Sequence, residues 1–274
     1  MAVLHTSREP GILLQMTTLP HLNGGSFRDP ERSPEGPTTT APLDPVTAER
    51  NAALVEQFGP LLFDASAADI LTWAHEHALG ALVVTLSMEN TVLAELAHKH
   101  LPGADFLFLD TEYHFPETLA VADEVQSRYP EHRLVRATAQ LSRQEQDEVY
   151  GPNLYLRAPG ACCRMRKVEP LAVHMSPYVG WVTGLRRADG PTRANAPALS
   201  LDATGRLKIS PLVTWTLQDT AEYEQENDLI IHPLTRQGYP SIGCATCTMP
   251  VAEGEDPRAG RWAFAAKTEC GLHE

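Results

Sequence analysis

The spacing of apolar side chains changes several times along the chain. Residues 46–58 and 66–79 carry them at helical intervals, and Ser66 stands where a helix N-cap belongs. Ala81-Leu82-Val83-Val84-Thr85-Leu86 is a short run bounded by polar residues, the pattern of a buried strand. A helix is expected from Asn90 to about His100, then a strand over 105–109 that ends at Asp110. Pro116 suits the first turn of a helix reaching about Tyr129, and 132–137 reads as a third strand. Ser142-Arg143-Gln144-Glu145 has the spacing of a capping box for the next helix. A helix from Cys162 to about Met175 and a strand over 178–183 follow. Leu199–Leu201 and Leu207–Ile209 pair as a hairpin around Gly205, and Thr216 precedes a helix over 217–226. From Pro233 onward Pro, Gly and Cys dominate, and the chain is expected to be irregular.

Strands alternating with helices of this length predict an α/β fold, a parallel sheet with helices on both faces. Such sheets bind ligands at the carboxyl ends of their strands, which places the loops after Thr85, Leu109 and Thr183 on one rim. Residues 1–45 hold seven of the 22 prolines and little apolar periodicity, so a disordered tail is expected there. Residues 46–260 form the expected domain, and 261–274 a mobile C-terminal tail.

Charge narrows the chemistry. With 22 Lys and Arg against 35 Asp and Glu, the 274-residue chain has a net charge of −13. A general binder of nucleic acid or of an anionic membrane would show a basic excess instead. An anionic small molecule would need basic side chains gathered locally. No apolar run approaches a membrane span, and residues 1–20 lack the charged head and long apolar stretch of a secretory signal, so the cytoplasm is the default.

Four of the five cysteines occur as two tight pairs, Cys162-Cys163 and Cys244-Ala245-Thr246-Cys247. A C-x-x-C turn lets two thiolates converge on one centre. Adjacent side chains on a helix diverge by about 100°. Diverging sulfurs suit the separate iron corners of a [4Fe–4S] cluster, which takes four thiolates, better than a single small ion. A zinc knot on the same ligands and unliganded core cysteines are the alternatives. Cys270 is left over, four residues from the end. A thiol on a moving segment can visit a substrate and then a second protein, with Lys267 and His273 favouring its thiolate. Its plain alternative is an incidental exposed cysteine.

Several strings coincide with one family. The segment Cys162-Cys163-Arg164-Met165-Arg166-Lys167-Val168-Glu169-Pro170-Leu171 resembles the CC-x-x-RK-x-x-PL stretch of assimilatory adenylyl-sulfate reductases. So do Trp181 to Arg187, Gly243 to Thr248, the loop Phe108-Leu109-Asp110-Thr111 and the ending Glu269-Cys270-Gly271-Leu272-His273. Order and spacing agree from about residue 50 to the end, and the details are most similar to actinobacterial members.

The resemblance implies a Rossmann-like fold of the adenine-nucleotide α-hydrolase type. It implies reduction of adenosine 5′-phosphosulfate to sulfite and AMP, with thioredoxin or a similar dithiol protein as reductant. Cys270 would be the nucleophile, and Cys162, Cys163, Cys244 and Cys247 would hold a [4Fe–4S] cluster. Lys167 would lie between cluster and substrate, and Arg258 and Arg261 would clamp the phosphosulfate. Arg186, Arg187 and Arg193 are further candidates for its oxygens, and Asp110 and His273 belong to the matching strings. A homo-oligomer is compatible with all of this.

Three places depart from the family pattern. The loop Thr85-Leu86-Ser87-Met88-Glu89-Asn90 contains no glycine. It is therefore expected to contact ribose or adenine through Ser87 and backbone groups rather than cradle phosphate. Glu112 stands where many relatives have Gly, and Ala188 to Arg193 replaces a loop that carries Gln-Ser in many of them.

Rival readings are reduction of the 3′-phosphorylated substrate or of both substrates, a non-catalytic zinc-stabilised interaction module, and an ATP-dependent adenylating enzyme. The missing glycine loop and the terminal cysteine argue against the last.

Overall fold

The structure is a computed structural model and describes residues 27–30, 40–265, 267 and 271–272. Its organising element is strand β1 (Leu82–Leu86), whose side chains alternate between two buried faces. Leu82, Val84 and Leu86 face a core shared with Ile70, Leu71 and Ala74 of helix α2 (Ala67–His77) and Val92, Leu93 and Leu96 of α3 (Val92–His100). Val83 points the other way, to Leu107, Met175, Tyr178 and Trp181. Strands buried on both faces read as unbroken apolar runs, which is why 81–86 shows so little alternation in sequence.

Strand β2 (Asp105–Asp110) lies parallel on one side of β1, with Val84 opposite Phe106, and β3 (Leu134–Thr138) lies parallel beyond it. On the other side β4 (Gly180–Val182) pairs parallel with β1, Val83 opposite Trp181. Strand β6 (Leu207–Ile209) adds in parallel to β4, and β5 (Leu199–Leu201) closes that edge antiparallel to β6. The order β3-β2-β1-β4-β6-β5 makes a mixed sheet. The expected parallel sheet is thus mixed, and its antiparallel pair is the hairpin expected around Gly205. Its cause is the tight 202–206 connection: Gly205 has φ +83°, and Asp202 Oδ1 accepts from Thr204 N at 2.8 Å and Arg206 N at 3.1 Å. So short a link can only return antiparallel.

Helices flank the sheet where the caps announce them. Helix α1 (Pro45–Leu62) starts on Asp44, whose side chain accepts from Thr47 N. Ser66 caps α2 through Asp69 N. Pro116 opens α4 (Pro116–Arg128), and Ser142 and Glu145 complete a capping box on α5 (Arg143–Tyr150). A short α6 (Leu154–Arg157) precedes α7 (Pro159–Cys163), and Thr216 with Asp219 boxes α9 (Leu217–Glu226).

The expected helix from Cys162 is interrupted. Between α7 and α8 (Glu169–His174), residues Arg164–Val168 form a wide π-turn, with Glu169 N bonded to Arg164 O. Pro170 has no N–H to donate to the Arg166 carbonyl, so the ordinary i→i−4 bond cannot form at that point.

Of the expected 1–45 tail, residues 1–26 and 31–39 lie outside the described residues. Phe27–Pro30 run against the domain: Arg28 N donates to Val149 O at 2.9 Å, and Arg164 Nη2 to Pro30 O at 2.7 Å. No helix among the described residues is long and apolar enough to cross a membrane.

His232 pins the 231–237 segment to α4. Its ring is fully buried, Nδ1 accepts from Leu234 N, and Nε2–H donates to Thr118 Oγ1 at 2.9 Å. Burial holds its pKa below the ordinary 6.5, and burial does the same for His114. The unfolded chain therefore takes up protons first as pH falls. Stability is expected to be full above about pH 6.5 and to drop as pH falls through the lowered native values. Melting curves between pH 7.5 and 5 check this (a range bracketing the ordinary histidine value). A His232→Gln variant should lose part of the slope, and a flat profile for the parent would refute the assignment.

Candidate active site

Sheet order reverses between β1 and β4, and the crevice at their carboxyl ends opens into a cleft of about 320 Å³. Thr85 Oγ1 donates to Val182 O across the two strand ends at 2.9 Å and fixes the floor. The glycine-free loop then turns at Met88, which takes a left-handed φ of +62° and buries its side chain completely. That reversal leaves Ser87, Glu89 and Asn90 on the cleft wall. The Glu89 carboxylate accepts from Ile242 N at 2.9 Å and ties the 241–243 segment to the opposite rim.

Cations gather here despite the overall charge. Lys167 from the π-turn, Arg186 and Arg193 from the segment after β4, and Arg258 and Arg261 from the C-terminal part all line the cleft. Asp189 organises two of them: its Oδ1 accepts from Arg186 Nε at 2.9 Å and its Oδ2 lies 3.3 Å from Arg193 Nη1. Arg186 also reaches Thr220 Oγ1 at 3.1 Å. Arg261 donates to Ser241 Oγ at 3.1 Å, lies over the Trp262 ring at 4.7 Å, and leaves its buried Nε without a partner.

Two expected residues lie elsewhere. Arg187 turns away from the cleft, donating to Asp64 Oδ1 at 2.7 Å, Phe63 O at 2.8 Å and Ala196 O at 3.0 Å. Asp110 is not among the cleft-lining residues. Its Oδ1 accepts from Glu112 N at 2.9 Å, and Glu112 has φ +59°. That left-handed backbone is one that glycine adopts more readily than glutamate. Here the glutamate has its own use: it pairs with the buried Arg166 and accepts from Arg143 N at 2.9 Å.

Beside the cleft, and sharing Lys167, Arg261 and Trp262 with it, is a closed cavity of about 10 Å³ lined by Cys162, Cys163, Cys244 and Cys247. The four sulfurs do not draw together as a ligand set. Among the described residues, the group of potential ligands lying within 4.8 Å of one another is His98, Glu131 and His132. The expectation of a [4Fe–4S] cluster on these cysteines, and the iron–sulfur and metal-binding reading built on it, is corrected accordingly; so is the zinc knot. Spacing in sequence brought the thiols to one place without setting the distances between them. Burial, and then the neighbouring cysteines, push the Cys162 thiol up to about 12, and burial raises that of Cys247 as well.

Leu272 lines the cleft, so the C-terminal segment returns to it. Cys270 and His273 lie outside the described residues.

The match to known proteins is extensive. The sequence model for the phosphoadenosine phosphosulfate reductase domain matches residues 81–250. The chain belongs to this family. It is 50% identical to an adenosine 5′-phosphosulfate reductase of Mycolicibacterium smegmatis over 221 residues, 80% of this chain and 93% of that one. It is 46% identical to one of Streptomyces coelicolor over 235 residues, 85% and 99% of the two chains. The crystal structure of a Candida auris phosphoadenylyl-sulfate reductase in a phosphate complex shares the fold, with a TM-score of 0.60 at 22% identity over 77% of this chain and all of that one. The chain is thus a close relative of actinobacterial adenylyl-sulfate reductases.

Sequence reasoning about the family member missed several cleft residues. Glu89 and Asp189 are acidic, an unexpected charge for an anion site, yet both act on neighbours by anchoring a segment or orienting arginines. His114 also lines the cleft: its Nε2–H donates to Leu109 O at 2.9 Å and its buried Nδ1 has no partner. Its place four residues after the end of β2 was the available signal.

Proposed function

We infer that this family member reduces adenosine 5′-phosphosulfate to sulfite and AMP in sulfate assimilation. Identity of 46–50% along nearly the full length of two adenosine 5′-phosphosulfate reductases carries the reading. A cationic cleft at the switch point of the sheet supports it, because attack on an anionic sulfate by a thiolate needs positive charge around the transition state.

In the proposed reaction the Cys270 thiolate attacks the sulfate sulfur, the S–O bond to the phosphate breaks, and AMP leaves with the bonding electrons. The product is an S-sulfocysteine. A thiolate of a thioredoxin-type partner then attacks Cys270 Sγ and expels sulfite. The partner's second thiol resolves the mixed disulfide, so the partner ends oxidised and Cys270 reduced. Sulfur gains the two electrons that the partner loses.

Lys167, Arg193, Arg258 and Arg261 are assigned to phosphosulfate oxygens, and Arg186 to the same group from its bond with Asp189. Ser87, with Leu86 and Leu93 beside it in the cleft, is assigned to the nucleoside. Leu272 in the cleft wall supports a visit by Cys270, two residues away. A cytoplasmic setting, where dithiol proteins are kept reduced, completes the reading.

The test is product analysis with reduced thioredoxin. Sulfite and AMP are expected in equal amounts from adenosine 5′-phosphosulfate, with a lower kcat/KM for the 3′-phosphorylated analogue. Absence of sulfite from both substrates would overturn the reading; preference for the analogue would overturn its substrate.

A further inference from the structure

We propose that His98, Glu131 and His132 form a divalent transition-metal site, with Zn(II) as the fitting ion, at the end of the sheet opposite the cleft. His98 lies in the last turn of α3, and Glu131 and His132 lie in the link that enters β3. One ligand atom from each falls within a 4.8 Å group, and none of the three residues lines the cleft.

The decisive ring is His132. It is 1% exposed, stacks on Phe106 with ring centres 4.3 Å apart and planes 4° from parallel, and bonds through Nδ1 to Ala104 O at 2.8 Å. A carbonyl only accepts, so Nδ1 carries the proton, and the neutral ring presents its lone pair at Nε2. That atom is buried and has no hydrogen-bond partner. Glu131 Oε1 is 4.0 Å away, beyond hydrogen-bond reach. A buried histidine held by Nδ1–H to a backbone carbonyl, with Nε2 open toward other ligands, is how proteins orient a metal-binding imidazole.

The other two ligands can move to it. His98 and Glu131 touch each other and have side chains 43% and 48% exposed. Zinc ligands at about 2.0–2.1 Å in a tetrahedron stand roughly 3.3 Å apart. Glu131 Oε1 therefore needs to approach His132 Nε2 from 4.0 Å while the His98–Glu131 contact opens, each by about an ångström or less, within the rotamer freedom of two exposed side chains. Two imidazoles and a carboxylate suit Zn(II), and the solvent side leaves its fourth position to water. Bound metal would clip the end of α3 to the entrance of β3.

The test uses the full chain, free of any tag and stripped by chelator, titrated with Co(II) as a spectroscopic stand-in and then with Zn(II) in competition. The cysteines provide an internal control, because cobalt bound to them shows thiolate charge transfer in the near ultraviolet. The parent is expected to show visible d–d absorption without that band for one metal equivalent, and a rise in melting temperature with Zn(II). His98→Ala and Glu131→Gln, both at exposed positions, are expected to bind that equivalent about 100-fold more weakly and to keep the parent's sulfite release. Equal Zn(II) affinity in parent and variants, or a cobalt spectrum that is thiolate throughout, would overturn the proposal.

Discussion

Exchanging Cys270 for serine is expected to lower sulfite release by at least about 10⁴-fold, the scale on which covalent enzymes fail when the nucleophile is lost. At neutral pH a few per cent of an ordinary cysteine is already thiolate, whereas a serine hydroxyl is essentially un-ionised and needs a dedicated base. The residues around the cleft offer a serine little help. His114 is the one imidazole of the described lining, and burial lowers its pKa, so even with Nδ1 free it is a weaker base than an ordinary imidazole. Nothing in the exchange touches Lys167, Arg258 or Arg261, so AMP should bind to the variant as it does to the parent. Single turnover with ³⁵S-labelled substrate, in the absence of any dithiol, separates the steps. The parent should hold label in a C-terminal peptide and release one AMP, and Cys270→Ser should do neither. Normal turnover by the variant would remove the proposed mechanism.

The frame that positions this chemistry was legible because its signals are local. The run 82–86 has to be buried on both faces, Ser66, Ser142 and Thr216 each bond within their own first turn, and the 202–206 link is too short to cross over. The limits of the reading have equally particular causes. Arg186 and Arg187 are neighbours with identical side chains, yet one enters the cleft and the other leaves it. The choice is made by Asp189 and Thr220 on one side and by Asp64, some 120 residues earlier in the chain, on the other. Glu89 owes its role to a backbone N–H at Ile242, which no pattern around residue 89 records. The cysteine pairs show the same limit in distance rather than direction. Two short motifs meet in one cavity, but the π-turn enforced near Pro170 and the 244–247 turn set sulfur positions that spacing alone could not supply.

Gly243 is where this tertiary dependence should be most visible in rates. A Cβ built there would fall on the Arg261 guanidinium, 2.7 Å from Cζ. The obstacle is the end of a long side chain and not backbone, so Gly243→Ala should fold and melt close to the parent. The guanidinium must shift, however, giving up the bond to Ser241 Oγ and its place over the Trp262 ring. Each aimed donor at a developing charge is worth roughly 10²–10³ in kcat. Gly243→Ala is therefore expected to lower kcat/KM for sulfite release by about 10²-fold, and Arg261→Ala by as much or more. Because the glycine acts only by making room for the arginine, the double variant should be hardly worse than Arg261→Ala alone, a coupling that steady-state kinetics on the four proteins measures directly. Fully additive losses would mean that Gly243 serves the site by some other route, such as the placement of the neighbouring Cys244. A full-speed Arg261→Ala would take that arginine out of phosphosulfate recognition altogether.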